Sequence, residues 1–259
     1  MNEFKVALVQ MDIKLADIAV NLKKAAELVA QASKQNADFV CLPEYLPTGW
    51  APEQLSKLAD PIPGRIAEKL SSIAEENSIH IVASIPERSN DKIYNTAVLI
   101  NPSGDLLAKY RKIHMFMEEP SCVTRGNEYA VADTKFGKVG LMICYDAVFP
   151  EVARQLALNG ADTVFMPSNW MDPFLPQWKL ATSARAFDNQ FWIVAANRIG
   201  KDNTFTYFGS SRIVNPYGNA VIECGNKEEV LTATIDKKAS EGFKQIVNFL
   251  KDRQPEAYK

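Results

Sequence analysis

The sequence predicts an α/β chain built as a layered sandwich of mixed sheets with helices on their outer faces. Three observations predict it. Strand patterns alternate with amphipathic helical patterns near the start and again in the middle of the chain, as β-α-β units require. Between those stretches, strand follows strand with only a tight turn, as antiparallel hairpins do. No Gly/Ser- or Pro-rich linker, internal repeat or low-complexity tract interrupts the 259 residues, so a single domain over 1–259 is expected. Parallel and antiparallel pairing in one uninterrupted chain gives mixed sheets rather than a purely parallel, doubly wound one.

The elements follow in order. FKVALVQM (4–11) reads as a strand, an amphipathic helix runs from about Asp17 to Gln35, and DFVCLPE (38–44) is the next strand. After the turn-like PIPG (61–64), a helix spans about Arg65 to Asn77. HIVASIPER, IYNTAVLI and DLLAKYRK are successive strands, the last two joined by the hairpin turn NPSGD. The alternation then returns: KVGLMIC, a helix from about Pro150 to Leu158, DTVFMPS, a helix from about Gln177 to Asp188, and FWIVAANR. YFGSSRIVN, AVIECG and EVLTATID are three further strands. The C-terminal FKQIVNFLKDRQPEAYK reads as a last helix and an extended tail, about 245–259, either a packed edge or an oligomer contact.

Composition narrows the function. Charged residues make up 23% of the chain and the net charge is −2, so neither a basic nucleic-acid surface nor an acidic tail is implied. A hydrophobic content of 47% is enough for a full core. The opening MNEFKVALVQ has no basic segment followed by an apolar one, and no apolar run approaches the ~20 residues of a membrane span. A cytoplasmic protein with a small-molecule partner is expected. Cys41, Cys122, Cys144 and Cys224 form no C-x-x-C, and His80 and His114 have no metal-binding spacing. No glycine-rich nucleotide motif is present, so no metal or cofactor is expected and the chemistry falls to side chains.

In α/β folds ligands gather outside the carboxyl ends of strands. Here DFVCLPE ends on Glu44, DLLAKYRK on Lys112 and KVGLMIC on Cys144. A carboxylate, an ammonium and a thiol around one point make a nucleophilic constellation. The ammonium favours thiolate and can stabilise an oxyanion; the carboxylate can take the thiol proton and later activate water. A Cys-His pair fares worse with His80, which begins its strand at the wrong end of the sheet, while His114 lies close to Lys112. Taken singly, each residue has a plainer role. Cys144 could be a small buried hydrophobe, Glu44 a capping or salt-bridging acid and Lys112 part of a solvated basic face. Cys41 and Cys224 fit the buried role better.

Three blocks resemble the carbon-nitrogen hydrolases of the nitrilase superfamily: LPEYLPTGW around Glu44, YRKIHMF around Lys112 and GLMICYDAVFPEVARQLALNGAD around Cys144. The likeness extends from VALVQM through RAFDNQFWIVAANR to the KDR near the tail, essentially the whole chain. The resemblance implies a four-layer αββα sandwich, usually paired so that sheet layers meet across a homodimer or higher homo-oligomer, and a Glu44, Lys112, Cys144 triad. Family members commonly carry a second glutamate seven or eight positions after the lysine. Glu119 matches that slot, with Glu118 beside it as the alternative; the acidic pair otherwise reads as loop polarity. The implied reaction is hydrolysis of an amide through a cysteine thioester, with the backbone N–H of Tyr145 and Lys112 holding the oxyanion.

Some branches that take carboxylate-bearing substrates place an Arg shortly after the cysteine turn. Ala147 and Val148 fill that region here. The strand-end loops instead offer Trp50, Met117, Tyr145, Phe149, Trp170 and Phe174, an apolar pocket for a small neutral amide or nitrile. A nitrilase and an N-carbamoyl amide hydrolase are the alternatives within this chemistry; a non-catalytic thiol redox sensor or binding protein is the alternative outside it. Cys122, three residues after Glu119, is an accessible bystander thiol in this reading.

Overall fold

A computed structural model describes residues 3–258. β1 (Glu3–Gln10), α1 (Ile18–Lys34) and β2 (Phe39–Cys41) form the expected β-α-β opening, with β1 and β2 parallel. Asp17 starts α1: its carboxylate accepts a hydrogen bond from the Val20 N–H, satisfying one of the donors that a first helical turn leaves open. The short α2 (Leu55–Leu58) and α3 (Arg65–Asn77) lead into β3 (His80–Ser89), parallel to β2. β4 (Lys92–Ile100) and β5 (Leu106–Arg111) continue as antiparallel hairpins.

The middle of the chain repeats this plan. β6 (Ala130–Thr134) pairs antiparallel with β7 (Gly137–Leu141), and α4 (Pro150–Leu158), β8 (Thr163–Ser168), α5 (Leu175–Asn189) and β9 (Trp192–Asn197) extend a parallel β7-β8-β9 core. After the small hairpin of β10 (Ile199–Lys201) and β11 (Thr206–Phe208), β12 (Arg212–Val214) and β13 (Ala220–Glu223) add antiparallel strands. β14 (Glu229–Asp236) then crosses back to pair antiparallel with β1, and α6 (Lys237–Ile246) follows. The two six-stranded sheets are ordered β14-β1-β2-β3-β4-β5 and β13-β12-β9-β8-β7-β6.

Strand periodicity explains how they stack. In β1, Phe4, Val6 and Leu8 enter a core shared with Phe165 and Val194 of the second sheet, whereas Ala7 and Val9 pack with Leu22, Ala25 and Val29 of α1 and Leu70 and Ile73 of α3. Each fully buried Leu, Val or Phe contributes about 1.5–3 kcal/mol, so a one-residue slip that inverted this alternation would be heavily penalised. The second sheet carries α4 and α5, whose Leu156 and Trp178 join the same core. The layers are therefore helix, sheet, sheet, helix, and the sheet-on-sheet contact is made within one chain without a second copy.

Four expectations need correction. β2 stops at Cys41, three residues before Glu44. β6 went unread because AVADT is short and half polar, and its pairing with β7 carries it. YFGSSRIVN is not one strand: Gly209 and Ser210, at φ +71 and +53, break it into β11 and β12, and a Cβ on Gly209 would lie 2.6 Å from the Gln10 side chain. The last helix ends at Ile246, with most of it ahead of Phe243, where the charged face of KKASEGFKQI hid it. Of the tail at about 245–259, Lys259 lies outside the described residues, as do Met1 and Asn2. Among the described residues, no helix is long and apolar enough to cross a membrane.

Candidate active site

The polar groups expected at strand ends stand just beyond them. Past β2 the chain makes one more ladder bond, Leu42 N–H to Val82 carbonyl, and then turns at Tyr45, whose φ is +48. Glu44 sits at that turn, its N–H donating to the Ser168 carbonyl at the end of β8. Lys112 is one residue past β5 and its N–H still pairs with the Asn95 carbonyl. β7 ends at Leu141, so Cys144 does not close the strand; it opens a tight 3-10 turn, Cys144–Val148, at φ +47. With Met117 at φ +44, each of the three loops bearing these groups holds a non-glycine residue in left-handed backbone. Such residues cost of order 1–3 kcal/mol each and collect where side chains must be aimed.

The structure brings Glu44, Lys112, Glu119 and Cys144 together, all at most 8% exposed. Lys112 Nζ donates to Glu44 Oε1 at 2.8 Å and to Glu119 Oε2 at 2.8 Å. The Cys144 thiol lies beside the Glu44 side chain and the Asn169 backbone. Glu118 is exposed, and of the acidic pair it is Glu119 that bonds Lys112.

Electrostatics set the resting protonation. Burial, then the neighbouring Glu44 charge, push the Cys144 thiol well above its ordinary value, and the opposing pull of Lys112 does not overcome them. The lysine's pull towards thiolate is thus outweighed, and the thiol needs a base to lose its proton. Burial also raises Glu44, with Lys112 working against the rise and Glu119 reinforcing it. For Lys112 burial works against the charge, but Glu119 and Glu44 outweigh it and hold the ammonium well above its ordinary range.

Several supporting residues carried no sequence-level assignment. Asn95, in the middle of β4, donates through Nδ2 to Glu44 Oε1 at 2.7 Å and Glu119 Oε1 at 3.3 Å, and its own oxygen accepts from Ser84 Oγ. Tyr45 OH and the Phe116 N–H also donate to Glu119. Asp146 holds the cysteine turn: one oxygen accepts from the Ile143 N–H and Tyr110 OH, the other from the His114 N–H and contacts His114 Nδ1 at 2.9 Å. The signal for Asn95 was a carboxamide inside the apolar run IYNTAVLI; Asp146 was visible only as the last letter of CYD. His114 is thus engaged by Asp146 and stacks on Phe149 at 3.7 Å, rather than pairing with Cys144.

The pocket residues divide. Phe149 packs edge-on to Tyr145 at 5.2 Å, and Tyr145 edge-on to Phe116 at 5.1 Å, beside the cysteine turn. Trp170 is buried, next in sequence to the Asn169 that touches the thiol, and Phe174 packs against the core behind it. Trp50 lies 5.5 Å from Tyr45, on the Glu119 side. Met117 is 61% exposed and lies at the rim rather than in an enclosed pocket. Cys122 is half-buried, its thiol raised by burial; Cys41 and Cys224 are buried and pushed up to about 12. Among the described residues, no cluster of three or more His, Cys, Asp or Glu side chains is arranged to hold a metal ion.

Residues 5–245 match the family described as carbon-nitrogen hydrolase. The chain belongs to that family. The hydrolase is 34% identical to the omega-amidase NIT2 of Mus musculus, over 100% of this chain and 98% of that protein. It is 37% identical to a nitrilase of Pyrococcus abyssi, over 98% of each. Its fold also matches a glutamate-to-glutamine variant of the amidase from Nesterenkonia sp. AN1, with a TM-score of 0.89, 25% identity and coverage of 98% and 95%. That structure carries the acetamide moiety of fluoroacetamide added covalently at its active-site cysteine.

Proposed function

We propose that the hydrolase cleaves a small neutral amide through a thioester on Cys144, releasing ammonia and then a carboxylic acid. The observation that carries this reading is the buried Glu44 carboxylate, which accepts from the Lys112 ammonium at 2.8 Å and stands beside the Cys144 thiol. Glu44 takes the thiol proton as sulfur attacks the carbonyl carbon, so a buried neutral thiol becomes nucleophilic only when substrate is present. The oxyanion is met by Lys112 Nζ and by the N–H of Tyr145, at the start of the 3-10 turn. Losing one such donor typically costs ~10²–10³ in rate. Protonated Glu44 passes its proton to the leaving nitrogen, ammonia departs, and Glu44 then activates water against the thioester. Glu119 positions Lys112, and Asn95 ties the two glutamates together.

A nitrile reaches the same thioester stage with the same nucleophile, and the nitrilase relative makes it the second reading. Ammonia release from neutral amides and their matching nitriles, measured on wild type and Cys144→Ala, tests both. Release from amides that vanishes in the variant is expected. Release from nitriles alone transfers the assignment, and full activity in Cys144→Ala refutes the mechanism. The hydrolase acts as a single domain over 1–259, in the cytoplasm and as a homodimer or higher homo-oligomer. Leu158 on α4 and Leu180 and Phe187 on α5 are 43%, 69% and 45% exposed, an outer apolar face that supports self-association. Ile246, exposed at the start of the tail, supports a contact there as well.

A further inference from the structure

Asn169 is only 7% exposed, yet neither its Nδ2 nor its Oδ1 has a partner, and the same is true of Nε1 of the adjoining Trp170. Leaving a buried donor or acceptor unpaired costs about 1–3 kcal/mol per group, so such atoms call for an explanation. Their location supplies one. Ser168, immediately before, accepts from the Glu44 N–H through its carbonyl, and the Asn169 backbone lies beside the Cys144 thiol, so the segment runs alongside both nucleophile and base. It is also held in place: Asn197 Oδ1 accepts from the Trp170 N–H at 2.7 Å while Asn197 Nδ2 donates to the Trp170 carbonyl at 3.1 Å and the Gly209 carbonyl at 2.7 Å. The Trp170 backbone is engaged on both sides while the Asn169 carboxamide and the indole N–H are idle.

We infer that the Asn169 carboxamide, with Trp170 Nε1, is a recognition site for an uncharged hydrogen-bonding group on the substrate's acyl chain: a hydroxyl or a second carboxamide. A carboxamide can donate through Nδ2 and accept through Oδ1 at once, which matches groups that do both. A carboxylate, an acceptor only, could take the Nδ2 and Nε1 donors but would leave Oδ1 unpaired. The guanidinium that reaches the cysteine turn, that of Arg185, commits Nη1 to the Ala147 carbonyl and Nη2 to Asp188, leaving only its Nε unpaired. A purely alkyl chain would leave both carboxamide ends unpaired. This deepens the proposed amidase reading and rests on it.

The test compares kcat/KM for butyramide, its 2-, 3- and 4-hydroxy derivatives, succinamide and succinamate, on wild type and on Asn169→Leu, which is similar in size and cannot hydrogen-bond. Wild type is expected to favour at least one hydroxylated amide or the diamide over butyramide and succinamate by about tenfold or more. In Asn169→Leu that ratio should fall to near one, through KM more than kcat. A wild type without such a preference, or a preference that survives in Asn169→Leu, overturns the inference. So does an equal loss on every substrate, which would mark a structural role. Asn169→Ala reads the same ratio if the leucine variant does not fold. If wild type hydrolyses nothing in the series, the amidase reading fails. Calorimetric binding to Cys144→Ala, with and without Asn169→Leu, then decides the inference separately: selective binding of the polar amides that Asn169→Leu abolishes upholds it, and its absence sinks it.

Discussion

Cys144 rests as a protonated thiol in left-handed backbone, and both properties follow from its surroundings. Burial and the Glu44 charge keep the proton on sulfur, and the four contacts to Asp146 hold the turn that gives the residue its φ of +47. An Asn at 146 has one acceptor oxygen where Asp has two. Asp146→Asn should therefore lower kcat about 10²-fold, as misplacement of a nucleophile by ~1 Å does, with a smaller change in KM. Steady-state kinetics beside circular dichroism of the folded variant check this. The pH profile carries a second prediction. Glu44 must be ionised to act as base, and its pKa is raised by burial first and Glu119 after it. The acid limb of kcat/KM should fall above the ordinary carboxylate range; a limb at the value of free glutamate would contradict the assignment. Glu44, Lys112 and Cys144 were legible because ionisable groups at the ends of apolar strands stand out. Asn95 and Asp146 were not, because they act on partners 51 and 36 residues away that only the fold brings near.

The β3-β4-β5 meander is the element that aims Lys112, and a buried carboxylate ties it together. Glu87 on β3 accepts from Thr96 Oγ1 on β4 and from Lys109 Nζ and the Arg111 guanidinium on β5, all at 2.7–2.8 Å. Burial opposes its charge, but these donors prevail and hold its pKa down to about 2. The sign follows: folded Glu87 sits below its unfolded value of about 4.3, so the stabilisation is complete above that pH and is lost as pH falls towards 2. At neutral pH it amounts to about 3 kcal/mol. Urea unfolding of Glu87→Gln should show a deficit of that order at pH 7 that shrinks on acidification; a deficit independent of pH would exclude the ionic origin. Helices α3 and α4 match their expected spans because periodicity and, for α4, the proline at its start are local signals. β6 and the break between β11 and β12 depend on pairing partners and on left-handed residues, which pattern alone does not reveal.

At the scale of the whole molecule, two sheets each carry one helical layer, and the site lies where their strand-end loops meet. Lys112 and Glu44 come from the first sheet, Cys144 and Asn169 from the second, so the reactive geometry exists only when the sheets are packed. The mixed α/β class was legible from alternation; the face-to-face packing within one chain came with the family resemblance, since periodicity marks which face of a strand is apolar without naming what covers it. The exposed Leu180 and Phe187 on α5 give the molecular-scale prediction. On the proposed self-association through this face, Leu180→Glu should lower the sedimentation coefficient without unfolding the chain, and an unchanged coefficient would contradict it.

The central claim is that the reaction passes through an acyl group on the sulfur of Cys144. Rapid acid quench of wild type turning over a good amide substrate, followed by mass spectrometry of its peptides, tests that claim most directly. The account predicts the mass of the acyl group on the peptide holding Cys144, and its diversion to a hydroxamate when hydroxylamine is added. Turnover with no adduct and no hydroxamate, or an adduct confined to Cys122, would contradict it.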